Sequence, residues 1–134
     1  MMMFCNGGCA ILWRSDMNAH VQVIEVHSKG LCTICLTSDA YRLLLVCVYM
    51  PYKGSECMTD EFTDQFATVD SIMSANADCH VIIGGDFNVD YSRLQVHTAT
   101  LKNFCDNVCL SPADLHRSAN IDYSYHFELK SLVC

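Results

Sequence analysis

The chain has 134 residues, of which 51% are hydrophobic and only 17% are charged, so an intrinsically disordered protein is excluded and one modest folded domain is expected. Its 15 acidic residues outnumber its 8 lysines and arginines, and a net charge of −7 argues against a free-standing, basic nucleic-acid-binding module. Because no apolar run approaches the roughly 18 to 20 residues that span a bilayer and no signal-peptide core is visible, we expect an intracellular protein, nuclear or cytoplasmic, without membrane contact.

Apolar runs in the first fifty residues predict four β-strands. These strands cover, in chain order, residues 9–14, 20–27, 31–37 and 42–50. The Ser-Asp-Ala sequence at 38–40 is suited to a hairpin turn between the last two of them. The continuous apolar run from Leu43 to Val48 is typical of a central strand that is buried on both faces.

The second half of the chain combines helical and strand periodicity. Phe62, Phe66 and Val69 recur at helical spacing, and Thr59 followed by two acidic residues is suited to begin that helix. The predicted elements are a helix over 59–75, a buried strand over 79–84, a shorter helix over 101–108 and a last strand over 123–127. The two apolar strands that flank the first helix are expected to be adjacent at the centre of a mixed, twisted sheet with helices packed on it.

The ten cysteines are interpreted as reduced thiols, because no secretion signal is visible. Cys32 and Cys35 have CxxC spacing, but residues three apart in a strand face opposite sides, which argues against a shared zinc ion. Cys5 and Cys9 could chelate a metal, yet no second cysteine or histidine pair with zinc-finger spacing follows them. Small buried hydrophobic side chains are therefore the favoured interpretation.

A carboxylate and a carboxamide follow the predicted strand 79–84. Asp86 and Asn88 are two residues apart, so they project to the same side if the extended geometry persists. The carboxyl edge of an open α/β sheet commonly holds ligands. An aspartate there can orient or deprotonate a water, and an asparagine amide can donate to a phosphoryl or carbonyl oxygen. The alternative is a simple turn, since Gly-Asp-x-Asn is also favourable turn chemistry.

Four segments of the chain carry a resemblance to a known family. They are Gly-Asp-Phe-Asn at 85–88, the strand with a Tyr-x-Pro ending at 43–51, Gly-Gly-Cys-Ala-Ile-Leu-Trp-Arg at 7–14 and Asp-Tyr-Ser-Tyr-His-Phe at 122–127. The first two resemble signatures of the endonuclease/exonuclease/phosphatase superfamily. The other two are similar to segments of the endonucleases encoded by non-LTR retrotransposons. All four occur in the family's order and span nearly the whole chain.

The resemblance implies an α/β sandwich and metal-dependent phosphodiester hydrolysis by a reverse-transcriptase-associated DNA endonuclease. A Mg²⁺ or Mn²⁺ ion near Asp86 would polarise the phosphate, and Asp86 would activate the attacking water. Asn88 would hold the water or a phosphoryl oxygen, and the Tyr49 hydroxyl would support the phosphate. DNA is the implied substrate, and no protein partner is implied. These three side chains are expected to line one cleft.

Two parts of the family's pattern are not visible in the sequence. The family opens with an Asn and a metal-binding Glu ahead of the Gly-Gly strand, and it closes with a Ser-Asp-His motif. Residues 1–134 therefore resemble a single partial domain, and we expect its hydrolytic activity to be impaired. Two alternatives stay open: a phosphatase or exonuclease of the same superfamily, and a non-enzymatic, transposon-derived fragment or binding module.

Overall fold

A computed structural model describes residues 1–6, 8–52, 56–90, 93, 95–112 and 132–133, with the backbone alone at 56–58 and 132–133. The strands are β1 (Met2–Asn6), β2 (Cys9–Trp13), β3 (His20–Ile24), β4 (Leu31–Thr37), β5 (Arg42–Tyr49), β6 (His80–Asp86), β7 (Ser111–Pro112) and β8 (Leu132–Val133). The helices are α1 (Glu56–Ala75) and α2 (Val96–Asn107). The predicted last strand, 123–127, lies outside the described residues.

The main sheet is mixed and has the strand order β3-β4-β5-β6-β8-β7. The first three of these strands form an antiparallel meander, whereas β5 and β6 are parallel and are joined through α1. A parallel pair needs such a crossover because the chain must return to the same end of the sheet. The predicted α/β class and the central, adjacent position of the two apolar strands are thus confirmed.

The helices cover one face of the main sheet. Alternate β5 residues point to that face and join the core with the apolar stripes of both helices, because side chains in a strand alternate between faces. The core includes Leu44, Val46 and Val48 of β5, Phe62, Phe66 and Val69 of α1, and Leu101 and Phe104 of α2. The prediction that β5 is buried on both faces is wrong for the opposite face, where Leu43, Leu45 and Cys47 are only half-buried.

That opposite face is covered by a separate two-stranded hairpin, β1-β2. The Cys32 thiol of β4 contacts the main-chain oxygen of Cys9 in β2 at 3.2 Å. One side chain also ties the hairpin to the loop between β3 and β4: the Asn6 amide lies 2.9 Å from the carbonyl oxygens of both Ser28 and Leu31. A hairpin covers less of the sheet than two helices do, which explains the half-buried residues of β5.

Several element boundaries differ from the predicted ones. Strand β1 was not predicted, because nothing in its run of methionines shows the cross-strand partner that it finds in β2. Helix α1 begins at Glu56, so Thr59 lies inside it and not at its start. Strand β6 extends through Asp86, because the two glycines before Asp86 continue the pairing with β5. Among the described residues, no helix is long and apolar enough to cross a membrane.

Candidate active site

The carboxyl ends of β5 and β6 bring two of the predicted site residues together. Tyr49 is the last residue of β5, Asp86 is the last residue of β6, and the two are register partners in the parallel pair. Both side chains lie on the sheet face away from the helices, and both are exposed, Tyr49 to 52%. The two side chains therefore project from paired backbone positions at the carboxyl ends of the strands, where ligands of α/β proteins commonly bind.

A glycine sets the close approach of the two strands at this point. Gly85 has φ +140, and a Cβ placed on it would lie 1.9 Å from the carbonyl oxygen of Val48. Real Cβ atoms do not come that close to a backbone oxygen, so every other residue type would force the strands apart. The pairing continues one step further, where the Met50 amide donates to the Asp86 carbonyl oxygen at 2.8 Å. The position of Asp86 is thus fixed by main-chain contacts.

The hydrogen bonds of Asn88 are made within the fold, at the ends of β5 and β6. Its φ of 49 shows that the extended geometry expected there ends before this residue. The Asn88 backbone N–H donates to Oδ1 of Asp86 at 2.9 Å, and its side-chain Nδ2 donates to the Met50 carbonyl oxygen at 2.7 Å. These bonds are those of the turn interpretation, and the site roles of Asp86 and Asn88 stay a proposal. Asp86 is oriented by the turn, and Asn88 links the ends of the two strands.

Tyr49 is positioned by a loop whose role the sequence analysis missed. Its backbone N–H donates to the Gly30 carbonyl oxygen at 2.8 Å, and a Cβ on Gly30 would lie 2.5 Å from the Tyr49 carbonyl oxygen. The buried Gln65 of α1 holds the same loop, since its Nε2 donates to the Lys29 carbonyl oxygen at 2.9 Å. One signal could have revealed Gln65: it lies three residues after Phe62, on the apolar stripe of the helix.

The segment after Asn88 is anchored to α2. Phe87 is buried against Phe66 of α1, with ring centroids 6.5 Å apart, and the Thr98 hydroxyl donates to the Asp90 carbonyl oxygen at 3.0 Å. These contacts connect the strand-end turn to both helices. The segment 122–127, which carries one of the four family resemblances, lies outside the described residues.

The donor set at this edge was compared with what a divalent cation needs. Mg²⁺ is usually held by one or two carboxylates together with waters and substrate phosphate oxygens. Within the described part of the chain, no three His, Cys, Asp or Glu side chains group as a metal site. Asp86 supplies one exposed carboxylate, and one of its oxygens already accepts the Asn88 N–H. The described residues thus do not form a magnesium site by themselves.

Comparison with solved structures identifies the fold. The endonuclease domain of TRAS1, a telomere-specific non-LTR retrotransposon, superimposes with a TM-score of 0.64 at 10% sequence identity, over 89% of this chain and 55% of that one. TDP2 from C. elegans superimposes with a TM-score of 0.52 at 17% identity, over 96% of this chain and 46% of that one. The chain therefore spans about half the length of each.

Two further comparisons were made at the level of sequence. Neither a scan against protein-family models nor a search of curated proteins found a match. At the identities above, the structural likeness establishes the fold. The described residues therefore have the α/β fold that the resemblance to the endonuclease/exonuclease/phosphatase superfamily implies.

Proposed function

We propose that this chain is a phosphodiester hydrolase of the endonuclease type that acts on DNA, with Asp86 orienting and deprotonating the attacking water. The observation that carries the proposal is the pairing of Tyr49 with Asp86 at the carboxyl ends of two parallel central strands. The likeness to the endonuclease domain of a non-LTR retrotransposon supports DNA as the substrate. The resemblance of segments 7–14 and 122–127 to the same group supports it independently.

Asp86 has the chemistry and the exposure that a general base requires. Its Oδ1 accepts the Asn88 N–H, so we assign Oδ2 to the water. Positioned proton transfer of this kind typically contributes about 10²- to 10⁴-fold to a rate. In this proposal Asn88 acts as a positioning residue, because its amide donates to the Met50 carbonyl oxygen and its N–H holds the carboxylate.

Tyr49 is proposed to contact the phosphate. Its side chain is 52% exposed, beside Asp86, and its hydroxyl can donate to a non-bridging phosphate oxygen. The main-chain bond from Tyr49 to Gly30 fixes the backbone from which the ring projects. A donor that is already oriented stabilises developing negative charge without reorganisation during the reaction.

The proposal includes a Mg²⁺ or Mn²⁺ ion as the cofactor that superfamily members of this type use. Because the described residues supply a single carboxylate and no metal cluster, we assign no step of the hydrolysis to the ion. Weak metal affinity and slow turnover are expected from such a donor set, since charge stabilisation and water activation act as a unit.

A nicking assay on supercoiled plasmid, in the presence of Mg²⁺ or Mn²⁺, tests the proposal. We expect slow nicking by the wild type and a further loss of about tenfold or more in Asp86→Asn, which keeps the turn acceptor but removes the base. Asp39→Asn is the matched control, because Asp39 is an exposed aspartate in the turn before β5, at the other end of that strand. Its rate should equal that of the wild type.

The nicking assay, together with assays of phosphate-ester hydrolysis and of plasmid binding, separates the alternatives. Equal nicking by wild type and Asp86→Asn would contradict the role of Asp86. Hydrolysis of a small phosphate ester without plasmid nicking would favour a phosphatase. Plasmid binding without either reaction would favour a binding module, and would overturn the enzymatic proposal.

A further inference from the structure

The structure places two cysteines in contact at the amino ends of the central strands, far along the chain from each other. Cys35 lies near the end of β4, and Cys79 directly precedes β6. Their sulfur atoms are 3.7 Å apart, which is thiol–thiol contact. We propose that Cys35 and Cys79 form an oxidisable dithiol, a modification site at which a disulfide joins β4 to the start of β6.

This pairing differs from the one that the sequence motif indicates. The CxxC spacing points to Cys32 and Cys35, but two residues three apart in a strand lie roughly 10 Å from each other along it. Disulfides require Cα atoms within about 7 Å, so the motif pair cannot be bridged while β4 stays intact. The Cys32 thiol faces the hairpin, 3.2 Å from the Cys9 carbonyl oxygen, whereas Cys35 contacts Cys79.

The surroundings of the pair give its two thiols different roles. Nη2 of Arg42 lies 3.9 Å from the Cys35 sulfur and contacts it. Arg42 is itself held by an ion pair with Asp78, the residue before Cys79. Cys79 is partly exposed, and burial together with its hydrogen bond to Cys35 raises its pKa to about 11. Because Cys35 is only 1% exposed, Cys79 is the accessible thiol, which reacts through its small ionised fraction, and Cys35 is the resolving thiol.

The chemistry balances with a low-molecular-weight disulfide such as glutathione disulfide as the oxidant. In the first step the Cys79 thiolate attacks one sulfur of glutathione disulfide, which forms a mixed disulfide on Cys79 and releases one glutathione thiolate. In the second step the Cys35 thiolate attacks the Cys79 sulfur, which forms the Cys35–Cys79 bond and releases the second glutathione. The second step is intramolecular and starts from sulfur atoms already in contact.

Peptide mapping of the native, full-length chain tests the site. The protein is equilibrated with glutathione disulfide and reduced glutathione, remaining thiols are blocked with N-ethylmaleimide, and the chain is digested with trypsin. Cys35 falls in the tryptic peptide 30–42 and Cys79 in 54–93, so their disulfide links two peptides. A Cys32–Cys35 bond would instead close a loop inside peptide 30–42. Fragment-ion spectra assign the linked cysteine in each peptide.

We expect the Cys35–Cys79 link to exceed the Cys32–Cys35 loop by at least about tenfold, because its two sulfur atoms are already in contact, whereas the motif pair is separated along β4. Cys79→Ala should abolish the interpeptide link. Cys32→Ala, the matched control on the same strand and the opposite face, should leave the link unchanged. A dominant link through any other cysteine, or no link while the wild type keeps its native circular dichroism spectrum, would overturn the proposal.

Discussion

The two ends of the β5–β6 pair are held by different kinds of contact. At the carboxyl ends, where the candidate site lies, main-chain contacts set the geometry. Gly85 lets the backbone approach Val48 closely, and the Met50 N–H donates to the Asp86 carbonyl oxygen; the Asn88 amide adds one side-chain link. The exposed side chains of Tyr49 and Asp86 contribute little to this arrangement.

At the amino ends the contacts are between side chains. Arg42 pairs with Asp78, and Cys35 contacts Cys79 at 3.7 Å. Exposed ion pairs of this kind typically stabilise a fold by only about 0–1 kcal/mol. The geometry of the candidate site therefore depends on backbone shape, whereas the side chains at the opposite end can react or be replaced.

The largest effect is expected when a methyl group is added to the backbone at the carboxyl ends of β5 and β6. Gly85→Ala should destabilise the fold by about 3 kcal/mol or more, because its Cβ would lie 1.9 Å from the Val48 oxygen at a φ of +140. Gly84→Ala is the matched control, since a Cβ there meets nothing within 4 Å, and it should change stability by less than about 1 kcal/mol. Urea unfolding measures both, and equal losses would contradict the comparison.

An intermediate effect is expected at the turn that follows. Asn88→Ala loses the hydrogen bond from the side-chain amide to the Met50 carbonyl oxygen. It also places alanine, which tolerates a positive φ less well than asparagine, at φ 49, so the free energy of unfolding should fall by about 1–3 kcal/mol. Asn88→Gly loses the same bond but tolerates that φ, and should therefore be less destabilised than Asn88→Ala. Thermal unfolding of the two variants separates the backbone effect from the hydrogen bond. The opposite ranking would show that the backbone conformation contributes nothing.

The smallest effect concerns thiol acidity at the two ends. Near the carboxyl end, hydrogen bonds from the Cys9 thiol and the Ala10 N–H lower the pKa of Cys47 to about 7, with Cys32 as the other titratable neighbour. At the amino end the pKa of Cys79 is about 11. Between pH 7 and 9, iodoacetamide alkylation should thus rise only about twofold at Cys47 and about a hundredfold at Cys79. Parallel pH profiles from mass spectrometry would refute this difference.

The sequence predicted those parts of the molecule whose signal is local. Strand 31–37 agrees with β4, and strand 42–50 agrees with β5 to within one residue, because apolar runs bounded by turn residues need no distant information. The adjacency of Tyr49 and Asp86 followed from the crossover that joins two parallel strands. In each case the prediction rested on apolar runs and on the order of the elements, both of which can be read from the sequence.

The parts that were missed depend on partners remote in the chain. Gly30 is needed because the Tyr49 backbone lies close to it, and Gln65 is needed because it donates to the Lys29 carbonyl oxygen. Both contacts are visible only in the structure. Nothing in the sequence indicates that the Asn88 amide donates to the Met50 carbonyl oxygen, 38 residues away. Such hydrogen bonds leave no periodic trace in the sequence.

The close approach at Gly85 has a consequence for what the Gly-Asp-Phe-Asn signature means. Three of its four residues serve architecture: Gly85 lets two strands meet, Phe87 fills the core and Asn88 closes the turn. Selection for folding alone would retain these three letters in a descendant that has abandoned catalysis. The exposed carboxylate of Asp86 gives the fold only one turn bond, so at this position the proposed chemistry, and not the fold, would require an aspartate. Among related chains, an aspartate at the position of Asp86 would therefore distinguish those that kept the proposed activity from those that lost it.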